Sequence, residues 1–271
     1  MTKESEDKKL GINISKWNLI EKPLGNLWWS AIQKLRRNVE GVENLHALDG
    51  QSCIFIYNHL AIQDAMFIYD AVNREPGLED YRFTIPTSIK FWDGRMKFPG
   101  ARGVMEKLRI EQDVKFVEVV QHYDNKYDGN KRSAYNRRMI NCVVDDLNKP
   151  KKIVPLSPEG GRSSTRAMQR AQRGIEVIME LVPENTLVMP VATWGSERVV
   201  PYKRIGVPKP FHVTELRFMA PMKVNQIIQN AEMLEIEPRD YLMCRLTDVL
   251  PREYWGVYNQ NTFPRYFEEK K

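Results

Sequence analysis

Six short runs of β-branched and apolar residues punctuate the chain, and several are separated by stretches long enough for a helix. The runs cover residues 52–57, 82–85, 115–120, 152–156, 186–192 and 211–218. The first, SCIFIY, is apolar at consecutive positions and predicts a buried strand. Pro86 is expected to close the second. Helical spacing is predicted over 64–72, 133–147, 166–181 and 239–250, the last stopped by Pro251. Residues 122–132, HYDNKYDGNKR, are polar and read as a loop. Strands alternating with helices predict an α/β fold with a mixed, largely parallel sheet flanked by helices.

The 271 residues fit one large domain, and no linker-like tract divides them. Residues 1–9 read as a frayed polar tail. Residues 14–37 mix Trp17, Trp28 and Trp29 with Leu, Ile and basic residues; Pro23 and Gly25 are expected to split them into two short helices. Residues 1–40 are therefore set apart as a tail and an amphipathic helical segment, ahead of a catalytic domain at 41–271. Trp28-Trp29 followed by Lys34, Arg36 and Arg37 suits the membrane–water interface, and packing on the core is the alternative. No apolar run approaches a membrane span.

Lys plus Arg number 41 against 35 Asp plus Glu, a net charge of +6 that suits an anionic partner. The basic residues are dispersed and carry no nucleic-acid-binding signature, so no nucleic acid is expected as partner. Cys53, Cys142 and Cys244 are scattered among apolar residues. They read as buried thiols in a reducing compartment, not as a disulfide framework or zinc site. His46, His122 and His212 form no ligand pattern, and no metal or cofactor is expected.

Two motifs carry chemistry. Asn58-His59-Leu60-Ala61-Ile62-Gln63-Asp64 follows the first buried strand, with Asp64 at the start of a helix. An imidazole is suited to general-base work near neutral pH, and a carboxylate on its other nitrogen fixes the tautomer. Pro158-Glu159-Gly160-Gly161-Arg162-Ser163-Ser164-Thr165 follows the strand at 152–156. Its glycines permit close backbone approach, and Arg162 suits a phosphate. A helix N-terminus directly after the turn would favour the same anion.

These two segments resemble the N-H-x4-D and P-E-G-T-R-S motifs of the glycerolipid acyltransferases, with Gly161 where Thr is usual. Residues 187–192, LVMPVA, resemble the family's later strand–proline motif. The likeness covers roughly residues 30–200. It implies a peripheral enzyme on the cytoplasmic face of a membrane. The enzyme would move a fatty acyl group from acyl-CoA or acyl carrier protein to the hydroxyl of a lysophosphatidic-acid-type acceptor. His59 would be the base, oriented by Asp64. Asn58, Lys90, Glu159, Gly160, Gly161, Arg162 and Ser163 would contact substrate, with Glu159 bracing the loop or the acceptor. The family's Arg after a strand between the two motifs is missing, since 117–120 is followed by Gln121-His122; Arg109, Arg132 and Arg137 are the candidates to replace it. Glycerol 3-phosphate, a larger lysophospholipid or a glycolipid remain alternative acceptors, and a lipid binder without turnover the alternative class.

Overall fold

The computed structural model describes residues 22–92, 101–199, 209 and 211–269. The apolar runs all become strands. They are β2 (Cys53–Tyr57), β3 (Arg82–Ser88), β4 (Lys115–Val119), β5 (Lys152–Leu156), β6 (Leu187–Trp194) and β7 (Thr214–Phe218). Two short strands join them, β1 (Arg37–Glu40) and β8 (Met222–Lys223). The sheet order is β1-β7-β6-β2-β5-β3-β4, with β8 also on β6. β7 and β8 run antiparallel to β6, and the other pairings are parallel, so the sheet is mixed and largely parallel. The central strand β2 is buried at all five positions, as a strand covered on both faces must be.

Two apolar cores lie on opposite faces. One packs α4 (Gly129–Leu147), α5 (Gly174–Leu181), α7 (Val224–Met233) and α8 (Pro238–Leu246) over the sheet. The other lies under α1 (Lys22–Lys34), α2 (Asp64–Asn73) and α3 (Ala101–Glu111). The short helices α6 (Ser196–Val199) and α9 (Pro264–Glu268) complete the set among the described residues.

Several expectations are corrected. α1 is one helix through Pro23 and Gly25. Pro23 sits in the first turn, where its missing N–H costs no helical bond. Gly25 is where α1 crosses α3: a Cβ there would lie 2.4 Å from the carbonyl carbon of Gly103. Trp29 and Ile32 bury on the core, whereas Leu27 is exposed. β1 is an edge strand of the sheet, paired with β7. The expected helix over residues 14–21 and the polar tail lie outside the described residues.

β3 continues through Pro86 to Ser88. By then its hydrogen-bond ladder runs to β4 alone, the ladder to β5 having ended at Phe83. An unpaired side is where a strand tolerates proline. The helix expected from residue 166 begins only at Gly174. Arg166 has a left-handed φ of 74°, and the amides of Met168, Gln169 and Gln172 donate to distant acceptors instead of a helical ladder. Helices α3, α7 and the 3-10 turns were not anticipated.

A substitution of Gly25 by Val is expected to destabilise the fold by about 1–3 kcal/mol, the usual cost of overpacking. A thermal melt checks this; an unchanged midpoint would mean the α1–α3 crossing contributes nothing.

Candidate active site

β2 and β5 are parallel neighbours, in register at Ile56 and Leu156. Both motifs therefore leave the sheet at the same edge, side by side, although His59 and Glu159 are 100 positions apart in sequence. Sheet proteins of this class build sites at that edge.

The His59 ring is held at Nδ1, 3.1 Å from Asp64 Oδ2. The same oxygen accepts from the backbone N–H of Leu60 and of Ala61, each at 2.7 Å. Asp64 is the first residue of α2, and its side chain is fully buried, whereas that of His59 is 20% exposed. Three donors on one buried oxygen fix the carboxylate, and the carboxylate fixes the ring. Nε2 is then the nitrogen left for a substrate proton.

Glu159 sits behind the ring with 1% exposure. One of its oxygens accepts from the His59 N–H at 2.9 Å and the other from the Gln169 N–H at 2.7 Å. Burial pushes its carboxyl up to about 7, the nearby Asp64 adding to the shift while the two N–H groups oppose it. Glu159 therefore ties the glycine turn to the His59 loop. A second tie runs from the Ser163 N–H to His59 O at 2.8 Å.

Segment 166–172 is held in turn by residues far downstream. Met168 N–H donates to Tyr254 O, Val257 N–H to Met168 O, and Ala171 N–H to the Tyr258 hydroxyl. The Tyr258 hydroxyl itself donates to Asp240. Gly256 permits this approach: a Cβ there would sit 2.1 Å from Met168 O.

His59 opens on a cavity of about 470 Å³ at the ends of β2, β3, β4 and β5. Lys90, Gly160, Gly161 and Arg162 line it. Lys90 Nζ lies 4.7 Å from the centre of the Tyr123 ring, and the same ring covers Gly161. Asn58 and Ser163 are placed differently. Asn58 is fully buried, with its amide bonded both ways to the backbone of Thr193 at 2.7 and 2.9 Å. It ties β2 to β6. Ser163 is buried and its hydroxyl donates to Ala167 O. The expected substrate contacts at Asn58 and Ser163 are thus corrected to bracing contacts. The expected phosphate site at a helix N-terminus after the turn is also corrected, since α5 starts at Gly174.

Of the three arginines weighed for the missing position, Arg132 lines the cavity, whereas Arg109 pairs with Glu106 and Arg137 is outside the lining.

The fold matches that of a solved acyltransferase. The crystal structure is that of the 1-acyl-sn-glycerophosphate (LPA) acyltransferase PlsC from Thermotoga maritima. It superposes with a TM-score of 0.52 at 16% identity, over 84% of this chain and 76% of that one. No protein-family model matches the sequence, and no curated protein does. The likeness is one of fold. Among the described residues no helix is long and apolar enough to cross a membrane.

His122, Tyr123 and Gln121 also line the cavity. The sequence reading missed them because they begin a polar stretch with no periodicity. The available signal was position: they follow β4 directly, at the edge where His59 follows β2.

Stability should report the state of Glu159. Its raised value means the fold holds a proton that the unfolded chain releases above the ordinary 4.5. The contribution of this group to stability is therefore greatest below about 4.5 and falls as pH rises to about 7, by about 3 kcal/mol in total. Urea unfolding across that range checks it, and Glu159→Gln should flatten the slope.

Proposed function

We propose that this protein is an O-acyltransferase that moves a fatty acyl group from a thioester donor, acyl-CoA or acyl carrier protein, to the hydroxyl of a lysophosphatidic-acid-type acceptor. The observation that carries the reading is the His59–Asp64 pair, rigidly braced and opening on a cavity that is cationic beside it and apolar beyond it. The shared fold with an LPA acyltransferase supports it.

In this mechanism Nε2 of His59 takes the acceptor's hydroxyl proton as its oxygen attacks the thioester carbonyl. The tetrahedral intermediate collapses as the C–S bond breaks, leaving a new C–O ester. The imidazolium, stabilised by Asp64, returns the proton to the departing thiolate. No acyl-enzyme is formed. Gly160 N–H is already given to Ser157 O, so the amide we assign to the oxyanion is that of Gly161. Lys90 and Arg162 are the groups that hold the acceptor's phosphate, and Arg132 lines the same cavity. Glu159 braces the base and leaves the acceptor untouched. Work at the cytoplasmic surface of a membrane follows from the nature of these substrates.

The test is thiol release from palmitoyl-CoA by purified protein with and without lysophosphatidate. Acceptor-dependent release supports the reading. Release only with glycerol 3-phosphate or a larger lysolipid would move the acceptor. Binding of lipid with no release from any pair would make the chain a carrier and end the proposal.

A further inference from the structure

Directly after β4 the chain turns. The N–H of Asp124 donates to Gln121 O at 3.0 Å, so His122 and Tyr123 are the two central residues of that turn. The Gln121 side-chain oxygen accepts from the Ser88 hydroxyl at 2.6 Å, and Ser88 Oγ accepts from the Lys90 N–H. The turn and Lys90 are thus tied to one another through Ser88, at the end of β3.

The turn faces the two glycines that follow β5. A Cβ at Gly160 would lie 3.8 Å from His122 Nδ1. One at Gly161 would lie 2.9 Å from Tyr123 Cε1 and 3.1 Å from its hydroxyl oxygen, and the three atoms nearest to it all belong to Tyr123. Gly161 has no left-handed φ to account for it, so the room it leaves is for Tyr123. A phenol stands where the resembled motif has a threonine side chain.

Lys90 meets the same ring, and among the described residues no carboxylate forms an ion pair with it. A cation seated on a ring at a cavity wall, with no anion beside it, is disposed toward an anionic ligand. Tyr123 is 51% exposed, so its ring stands at the mouth. It touches Lys90 and also the turn that carries Arg162. Lys90 follows β3, Tyr123 follows β4 and Arg162 follows β5, three strands that are neighbours in the sheet.

We propose that the Tyr123 hydroxyl is a third donor to the acceptor's phosphate, alongside Lys90 and Arg162, and that its ring sets where the Lys90 ammonium stands. This rests on the acyltransferase reading above and adds to it a residue that selects phosphorylated acceptors. A phosphate offers three terminal oxygens to three donors converging from three strand ends. The phenol carries no charge, so it adds direction where the two cations add attraction.

The experiment measures kcat and KM for palmitoyl-lysophosphatidate and palmitoyl-CoA, and the Kd of glycerol 3-phosphate by calorimetry. Tyr123→Phe keeps the ring and removes the donor. It is expected to raise the KM of lysophosphatidate and the Kd of glycerol 3-phosphate by about 10- to 100-fold, the range for a hydrogen bond to a charged group. Its kcat, its KM for palmitoyl-CoA and its thermal midpoint stay near wild type. Tyr123→Ala also unseats Lys90 and weakens both by a further factor of about 2 to 5. Gly161→Thr drives the ring off its place and weakens acceptor binding too. In the Tyr123→Ala background the same threonine puts a hydroxyl into the vacated space and recovers part of the loss, whereas Gly161→Ala in that background recovers none.

Tyr123→Phe with wild-type KM and Kd for the acceptor, or with a shifted KM for palmitoyl-CoA instead, would overturn the inference and leave the acyltransferase reading standing. Threonine and alanine at 161 acting alike in the Tyr123→Ala background would also overturn it. Wild type that releases no thiol with lysophosphatidate, glycerol 3-phosphate or a larger lysolipid would remove that reading, and the inference with it.

Discussion

His59→Ala is expected to reduce acceptor-dependent thiol release by about 10²- to 10⁴-fold, the usual contribution of a positioned general base. The fold should survive. The ring is part exposed, and the bonds that tie residue 59 to its surroundings are made by its backbone, N–H to Glu159 and C=O from Ser163, which alanine keeps. Circular dichroism and the thermal midpoint should therefore be close to wild type while turnover is lost. Release that persists at the wild-type rate would show that another group takes the proton, and His122, which shares the cavity, would be the next to test.

Asp64→Asn is expected to cost about 10³- to 10⁴-fold in kcat with little change in KM. The loss comes from the missing negative charge that stabilises the imidazolium, the role a carboxylate has in a serine-protease triad. Asp64 Oδ2 accepts from His59 Nδ1 and from two backbone amides. Asparagine can keep the amide contacts through its carbonyl oxygen. It cannot stabilise an imidazolium with a negative charge, and its NH2 takes the place of Oδ1, a buried atom with no hydrogen-bond partner. Retained stability with lost turnover separates this from misfolding. A variant with near-normal kcat would mean that Asp64 only holds the Leu60–Ala61 turn in place.

The sheet was legible because its strands are short, apolar and flanked by turn residues; residues 152–156, KIVPL, became β5 without adjustment. His59 and Asp64 were legible because five positions suffice to link them, and their contact is local. The failures have physical causes. The helix expected at 166–173 had adequate propensity, but its amides are claimed by Glu159, Pro158, Tyr254 and Tyr258, partners that no local window contains. Asn58 looked like a ligand because it adjoins His59, yet its amide faces Thr193, 135 positions on. α1 was expected to break at Gly25, where the glycine instead admits the backbone of Gly103. In each case the sequence shows a residue's type and the fold decides whom it meets.

The grip of Tyr254 and Tyr258 on segment 166–172 has a consequence for biogenesis. His59 and Asp64 are made early, but the loop that steadies them is pinned by a hydroxyl 87 positions beyond Ala171. A nascent chain carries His59 and Asp64 long before the segment that braces them is held in place. The bracing of the site is thus completed late, after the aromatic stretch has docked.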